Sequence, residues 1–150
     1  MRELDEVDRM IIALLREDAR RSFRDIGERV GLSAPAVKRR VDRLEAAGVI
    51  TGYCAVVDPA AVGWTTHGVV ALFCEGRMSA DEVRAGVAAH PEVSAAYTVA
   101  GQASAILHVH ASDTAHLERS LEALRSIPGV TATQTQVVLS ALFERPLPGV

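Results

Sequence analysis

The sequence predicts an α+β fold in two parts: an N-terminal (winged) helix-turn-helix domain of three helices and a C-terminal ferredoxin-like βαββαβ domain. Three observations carry that prediction. From Phe23 to Leu44 two short helical patterns meet at Gly31-Leu32, the spacing of a helix-turn-helix. From Thr66 onward strand, helix and strand patterns follow one another twice, and each helix closes at a proline before a valine, Pro91/Val93 and Pro128/Val130. Between the two the charge changes: residues 1–50 hold 11 basic and 10 acidic side chains, residues 51–150 hold 5 and 9. The expected limits are 1–57 for the first domain with its following strand, 58–65 for a linker and 66–145 for the second domain.

Leu4 to Arg16 reads as the first helix. Asp5 caps it, Asp8 sits near its positive end, and Val7, Ile11, Leu14 and Leu15 form an inward stripe. The second helix starts after Ser22, with Asp25 placed as in a capping box, and ends at Gly31. Ser33 is placed to cap the third helix, which tolerates Pro35 in its first turn. Val37, Val41 and Leu44 recur at i, i+4 and i+7 and point inward. Pro35, Lys38, Arg39 and Arg43 fall toward the other side. Between Arg20 and Arg43 there are eight basic and three acidic residues on a chain of net charge −3. A positive island on an acidic chain is the electrostatic footprint of a nucleic-acid surface. The expected DNA contacts are Ser33, Ala34, Pro35, Ala36, Lys38, Arg39 and Arg43. Arg40, nearer the core side, is expected to anchor an intramolecular acid.

Gly48 stops the third helix, and Val49 to Val57 is β-prone, either a wing or a strand leading onward. Thr66 to Glu75 is the next strand. Ser79 and Glu82 form a capping box for a helix ending at His90-Pro91. Val93, Ala95, Tyr97 and Val99 alternate as a strand, as do Ala105, Leu107 and Val109. Thr114 to Ser126 is a helix with Leu117, Leu121 and Leu124 on one face, and Val130 to Phe143 is the last strand, followed by Pro146 and Pro148. Both helices would cover one sheet face. The other, around Val99 and Val138, would stay open in a monomer, which marks a surface for self-association.

Other chemistry is poorly supported. Cys54 and Cys74 lack metal-type spacing and read as reduced thiols of a cytosolic protein. No basic, apolar leader pattern opens the chain, and no stretch is long and apolar enough to span a membrane. His108 and His110 share a strand face at a spacing that suits a metal, but no third ligand is in view and His67, His90 and His116 read as isolated, so no metal or cofactor is expected. No phosphate loop, paired carboxylates or triad-like cluster points to an enzyme.

The chain resembles the Lrp/AsnC, or feast/famine, transcription regulators. The resemblance rests on Leu4-Asp5 with Asp8, the Ile11–Leu15 helix, Gly31-Leu32-Ser33, the run Arg40 to Glu45 followed by Gly48 to Tyr53, and then Asp58-Pro59 and Gly63. The C-terminal half is similar to that family's effector-binding RAM domain through Pro91-Glu92-Val93, Tyr97, Gly101 and Pro128-Gly129-Val130. The resemblance implies a homodimer built on back-to-back sheets, often assembled to tetramers or octamers. It also implies double-stranded DNA as partner and a small-molecule effector, usually an amino acid, bound in the RAM layer. Tyr97, Val99, Gly101, Gln102, Ala103, Ser104, Thr133, Thr135 and Gln136 are the expected effector-binding positions. One departure stands out: after Gly101 the family usually has an aromatic and then an acidic residue, whereas this chain has Gln102-Ala103-Ser104. Losing the carboxylate removes a partner for a ligand ammonium group. Losing the aromatic leaves more room. A bulkier or less cationic effector, or none, is the resulting expectation. The competing function is an architectural protein that wraps DNA without a ligand.

Overall fold

The computed structural model describes residues 4–76 and 78–143. The chain forms two compact units: one ends at Val56, the other spans Val57–Leu142.

The first unit is three helices, α1 (Glu6–Glu17), α2 (Phe23–Val30) and α3 (Ala34–Ala46). Asp5 caps α1, its side chain accepting from the Asp8 amide at 2.7 Å. Ser22 caps α2 in the same way, from Asp25 N. Only half of the expected box forms there, because the Asp25 carboxylate is drawn to Arg21 and Arg29 instead. Gly31 ends α2 with φ 71°, the left-handed conformation glycine adopts without a Cβ penalty. Ser33 holds the N-cap position of α3, yet its hydroxyl makes no capping hydrogen bond. Ile11, Leu15, Ile26, Val37 and Val41 form the core, with Val7, Leu14, Phe23, Val30, Leu32 and Ile50 packed around them. Each such buried aliphatic is worth roughly 1.5–3 kcal/mol against a few tenths for an exposed i,i+4 pair such as Arg24–Glu28. The core, rather than the lattice of surface charges, therefore holds the helices together.

Val49 to Val57 does not form the expected strand. Its first two amides close the end of α3 on the Leu44 carbonyl. Beyond Ile50 the residues are exposed, Val56 almost completely (99%). β-propensity without a neighbouring ladder leaves the backbone unpaired, so the described first unit is a helix-turn-helix without a wing.

The second unit begins with a 3-10 turn at Ala60–Val62, where Asp58 accepts from the Ala60 amide. The elements that follow are β1 (Thr66–Cys74), α4 (Ala80–Val87), β2 (Val93–Thr98), β3 (Ala105–Ala111), α5 (Thr114–Arg125) and β4 (Val130–Val138). The sheet order is β2-β3-β1-β4, with every neighbouring pair antiparallel. That is the split βαβ arrangement. The Ser79–Glu82 capping box of α4 is complete. Val70, Leu72, Ala105, Leu107, Val109 and Ala111 face the helices and bury with Val83, Val87, Leu117 and Leu124.

Several element ends differ from expectation. α4 stops at Val87, three residues before His90-Pro91. β4 stops at Val138, because its partner β1 offers no paired residue beyond His67. β2 stops at Thr98 and carries an irregularity between Val93 and Ala95, which turns Val93 to the core while Ala95 and Tyr97 face the open side. The open face thus carries His67, Val69 and Ala71 of β1, Ala95 and Tyr97 of β2, Ile106, His108 and His110 of β3, and Gln134, Gln136 and Val138 of β4. Pro146 and Pro148 lie outside the described residues.

Candidate functional site

The surface of α3 is set by an ionic clasp on α1. Asp8 is buried, with its side chain 5% exposed, and both its oxygens are engaged: Arg40 donates at 2.8 Å and Arg43 at 2.6 and 2.9 Å. Arg40 also donates to Asp5 at 2.7 Å. That hydrogen bond, ahead of the one from the Asp8 amide, holds the Asp5 carboxyl below the ordinary range. The spacing of Arg40 and Arg43, one helical turn apart, aims both at one acid on the first turn of α1. Arg40 does what its position predicted. Arg43, expected on DNA, is turned toward α1 in this arrangement, although its side chain keeps 45% exposure.

From Ser33 to Asp42 the outward residues are Ser33, Pro35, Lys38, Arg39 and Asp42, with Ala34 and Ala36 half-buried beside them. Lys38 donates to Asp42 at 2.6 Å, an exposed i,i+4 pair. Arg39 is exposed and has no ion pair among the described residues. The first turn thus presents a small, uncharged tip of serine, alanine and proline, and the second presents a cation pair one residue apart. Such a helix fits the major groove, its first turns at base edges and Arg39 able to reach a guanine bidentately or a phosphate.

The approach of α2 to α3 depends on a residue the sequence reading passed over. A Cβ at Gly27 would lie 2.3 Å from the Leu32 carbonyl oxygen, and the Leu32 amide already donates to the Gly27 carbonyl at 2.9 Å. A glycine inside a helical pattern was the available signal.

The expected effector positions are spread over the second unit. Tyr97 lies on the open face of β2, and Val99, Gly101, Gln102, Ala103 and Ser104 follow in the β2–β3 loop. Ser104 ties that loop to β1, its amide donating to Leu72 O at 2.8 Å and its hydroxyl accepting from Cys74 N at 3.2 Å. Thr133, Thr135 and Gln136 sit on β4, the opposite edge of the sheet from β2. Thr133 and Thr135 share the helix side, where Arg125 donates to Thr133 at 2.8 Å. Gln136 faces the open side with Gln134, Val69, Ala71 and Ile106 around a shallow pocket of about 130 Å³. A single protomer therefore does not gather all nine positions into one cavity.

His116, read as isolated, is the centre of a second clasp. Its Nδ1 lies 3.3 Å from the Ser112 amide and 3.2 Å from the Ser112 hydroxyl, and its Nε2 meets Glu92 at 3.2 Å. Serine, histidine and glutamate in series look like a nucleophilic set. Here the amide donates to Nδ1, while the Ser112 hydroxyl also reaches Asp113, the cap of α5. The group fixes the start of a helix, with Trp64 tilted against the same imidazole. His67 is not isolated either: it joins His108 and His110 on the open face. Among the described residues no three histidine, cysteine or acidic side chains are placed to hold a metal ion, and no helix is long and apolar enough to cross a membrane.

Comparison with known proteins gives both halves a counterpart. The AsnC-type helix-turn-helix domain matches residues 4–45, and the Lrp/AsnC ligand binding domain matches residues 69–148. The chain is 50% identical over 145 residues to the HTH-type transcriptional regulator Rv2324 of Mycobacterium tuberculosis, covering 97% of this chain and 98% of the relative. The feast or famine regulatory protein Rv3291c of M. tuberculosis, solved in complex with L-methionine, superposes with a TM-score of 0.90 at 32% identity, over 97% of this chain and all of that one (100%). The transcriptional regulator NMB0573 of Neisseria meningitidis, also solved with L-methionine, gives 0.87 at 27% identity, over 95% and 94% of the two chains.

Proposed function

The chain belongs to the Lrp/AsnC family of helix-turn-helix transcriptional regulators, and from that premise we propose how it works. α3 enters the major groove of an operator with Ser33, Ala34, Pro35 and Ala36 against base edges and Lys38 and Arg39 at bases or phosphates. Arg43 holds α3 on α1 through Asp8 and supports DNA as a secondary contact. The observation that carries this is the outward row on α3, where Arg39 is exposed and has no ion pair among the described residues, while Arg40 and Arg43 are engaged by Asp8.

The second unit receives a small molecule and joins copies of the chain. Two protomers meet through their open sheet faces, and dimers assemble further to tetramers or octamers. An amino acid binds near the β2–β3 loop, at Tyr97, Val99 and Gly101 to Ser104, with Thr133, Thr135 and Gln136 supplied from β4. Amino-acid recognition is supported by two structural relatives solved with L-methionine. Gln102-Ala103-Ser104 offers no carboxylate to a ligand ammonium group, which favours a larger or less cationic ligand. The protein works in the cytoplasm, without catalysis or a resident cofactor.

The experiment is selection of duplexes from a random pool, followed by anisotropy titrations at fixed salt against a panel of amino acids. Discrete sites whose affinity shifts with one ligand support the regulator. Broad, ligand-indifferent coverage would replace it with the architectural reading. Tight binding of a small cationic amino acid would overturn the proposed ligand preference.

A further inference from the structure

Three imidazoles gather on the open face of the sheet. His67 of β1 lies directly across from His110 of β3, and His108 stands two residues before His110 on the same face. The His67 and His110 rings stack with centroids 4.4 Å apart and planes 10° from parallel. His67 Nε2 and His108 Nδ1 are 3.2 Å apart in a hydrogen bond. A hydrogen bond between two imidazoles needs an acceptor nitrogen, so at least one of these rings is neutral. The Tyr97 ring meets His108 edge-on from β2.

The rest of this face is uncharged. β1 contributes Val69 and Ala71, β2 Ala95, β3 Ile106, and β4 Gln134, Gln136 and Val138. Among the described residues, the other titratable groups beside the cluster are the Tyr97 phenol and, across a groove of about 280 Å³ shared with His110, Glu92, whose carboxylate His116 holds. A face of this composition is self-complementary while its imidazoles are neutral. A two-fold contact sets the same patch against itself, so any charge on one copy meets the same charge on the other. Protonation puts cations within about 5 Å of each other on a surface that must shed water to close.

We propose that the His67–His108–His110 cluster makes association of two copies through the open sheet face proton-sensitive, closing when the rings are neutral and opening when they are charged. This rests on the reading that two protomers meet through that face. The consequence is a regulator whose assembly answers to pH as well as to its ligand.

Histidine is the side chain whose charge ordinarily changes between about pH 5 and 8. A contact that admits only neutral rings weakens by up to about tenfold per pH unit, for each excluded proton, as the solution is acidified. One proton per copy predicts a dimer weaker by about a hundredfold at pH 5.5 than at pH 7.5. Sedimentation equilibrium of the full chain, in EDTA and across that range, measures it, with circular dichroism at each pH to confirm folding. The wild type is expected to show the hundredfold change. His108→Gln with His110→Gln is expected to flatten it, and His90→Gln, away from the cluster, to leave it intact. A folded wild type whose dimer constant is the same at both pH values would overturn the switch while leaving the sheet-face contact standing. A monomer at pH 7.5 would overturn the contact itself, and the switch with it.

Discussion

Replacing Asp8 by alanine removes the acid on which α3 is seated. Three hydrogen bonds go with it, one from Arg40 and two from Arg43, at 2.6 to 2.9 Å. A hydrogen bond to a charged group is worth about 1.5–3 kcal/mol when well buried. These are only partly so. Asp8 is 5% exposed, but Arg40 and Arg43 keep 27% and 45%, so both guanidiniums rehydrate when the acid leaves. Arg40 also retains Asp5. Each bond therefore counts for about 1 kcal/mol, and Asp8→Ala is expected to destabilise the first unit by about 2–3 kcal/mol. Urea unfolding followed by far-UV circular dichroism reads the loss as a lower midpoint at unchanged slope. A double-mutant cycle with Arg43→Ala, which makes two of the three bonds, should return a coupling of about 2 kcal/mol. A cost below about 0.5 kcal/mol, the scale of an ordinary surface substitution, would refute the view that this clasp orients α3.

Four further outcomes follow from the same geometry. Arg39→Ala should weaken operator binding about tenfold or more without changing the melting temperature, and an unchanged dissociation constant at moderate salt would remove Arg39 from the interface. Asp42→Asn frees Lys38 and removes a negative charge from the outward row, so it should tighten binding to unrelated duplexes and steepen the salt dependence by about one counterion. Gly27→Ala forces a Cβ against the Leu32 carbonyl at 2.3 Å, which the turn relieves only by separating α2 from α3. The expected cost is about 1–3 kcal/mol and DNA binding should fall with it, both measurable on one preparation. Finally, Asp25 is held below the ordinary carboxylate range, first by Arg21 and then by Arg29, and Asp5 by Arg40. Folded values lower than unfolded ones add stability that is full above about pH 4 and is lost as pH falls through the folded values. These groups should therefore leave helicity flat from pH 8 to 5 and release it below 4, a release that Asp25→Asn should diminish.

Most of the architecture was legible because local signals agreed with one another. Ser22, Gly31 and the i, i+4, i+7 stripe of Val37, Val41 and Leu44 each act within a turn or two of chain. Repeated strand-helix-strand spacing was enough to order the second unit. The misreadings share a different cause. Val49 to Val57 has the composition of a strand, but a strand exists only where a neighbour completes its ladder, and none does within one described chain. β4 was read five residues too long for the same reason: its length is set by β1, not by itself. Pairings between distant residues were likewise beyond the local signals. Asp8 reads as a helix-end acid until α3 brings Arg43 to it across 35 positions. His67 reads as solitary until register sets it against His110. The charge island showed the same limit. Of the four cations on α3, two are committed to Asp8 and one to Asp42, leaving Arg39 as the one without an ion pair among the described residues. Net charge pointed to α3 as the element proposed to meet DNA, while side-chain pairing decides which of its residues is free to do so. Of the expected cationic contacts, Arg39 and Arg43 should accordingly separate in salt titration: Arg39→Ala should reduce the slope, and Arg43→Ala should act mainly through stability.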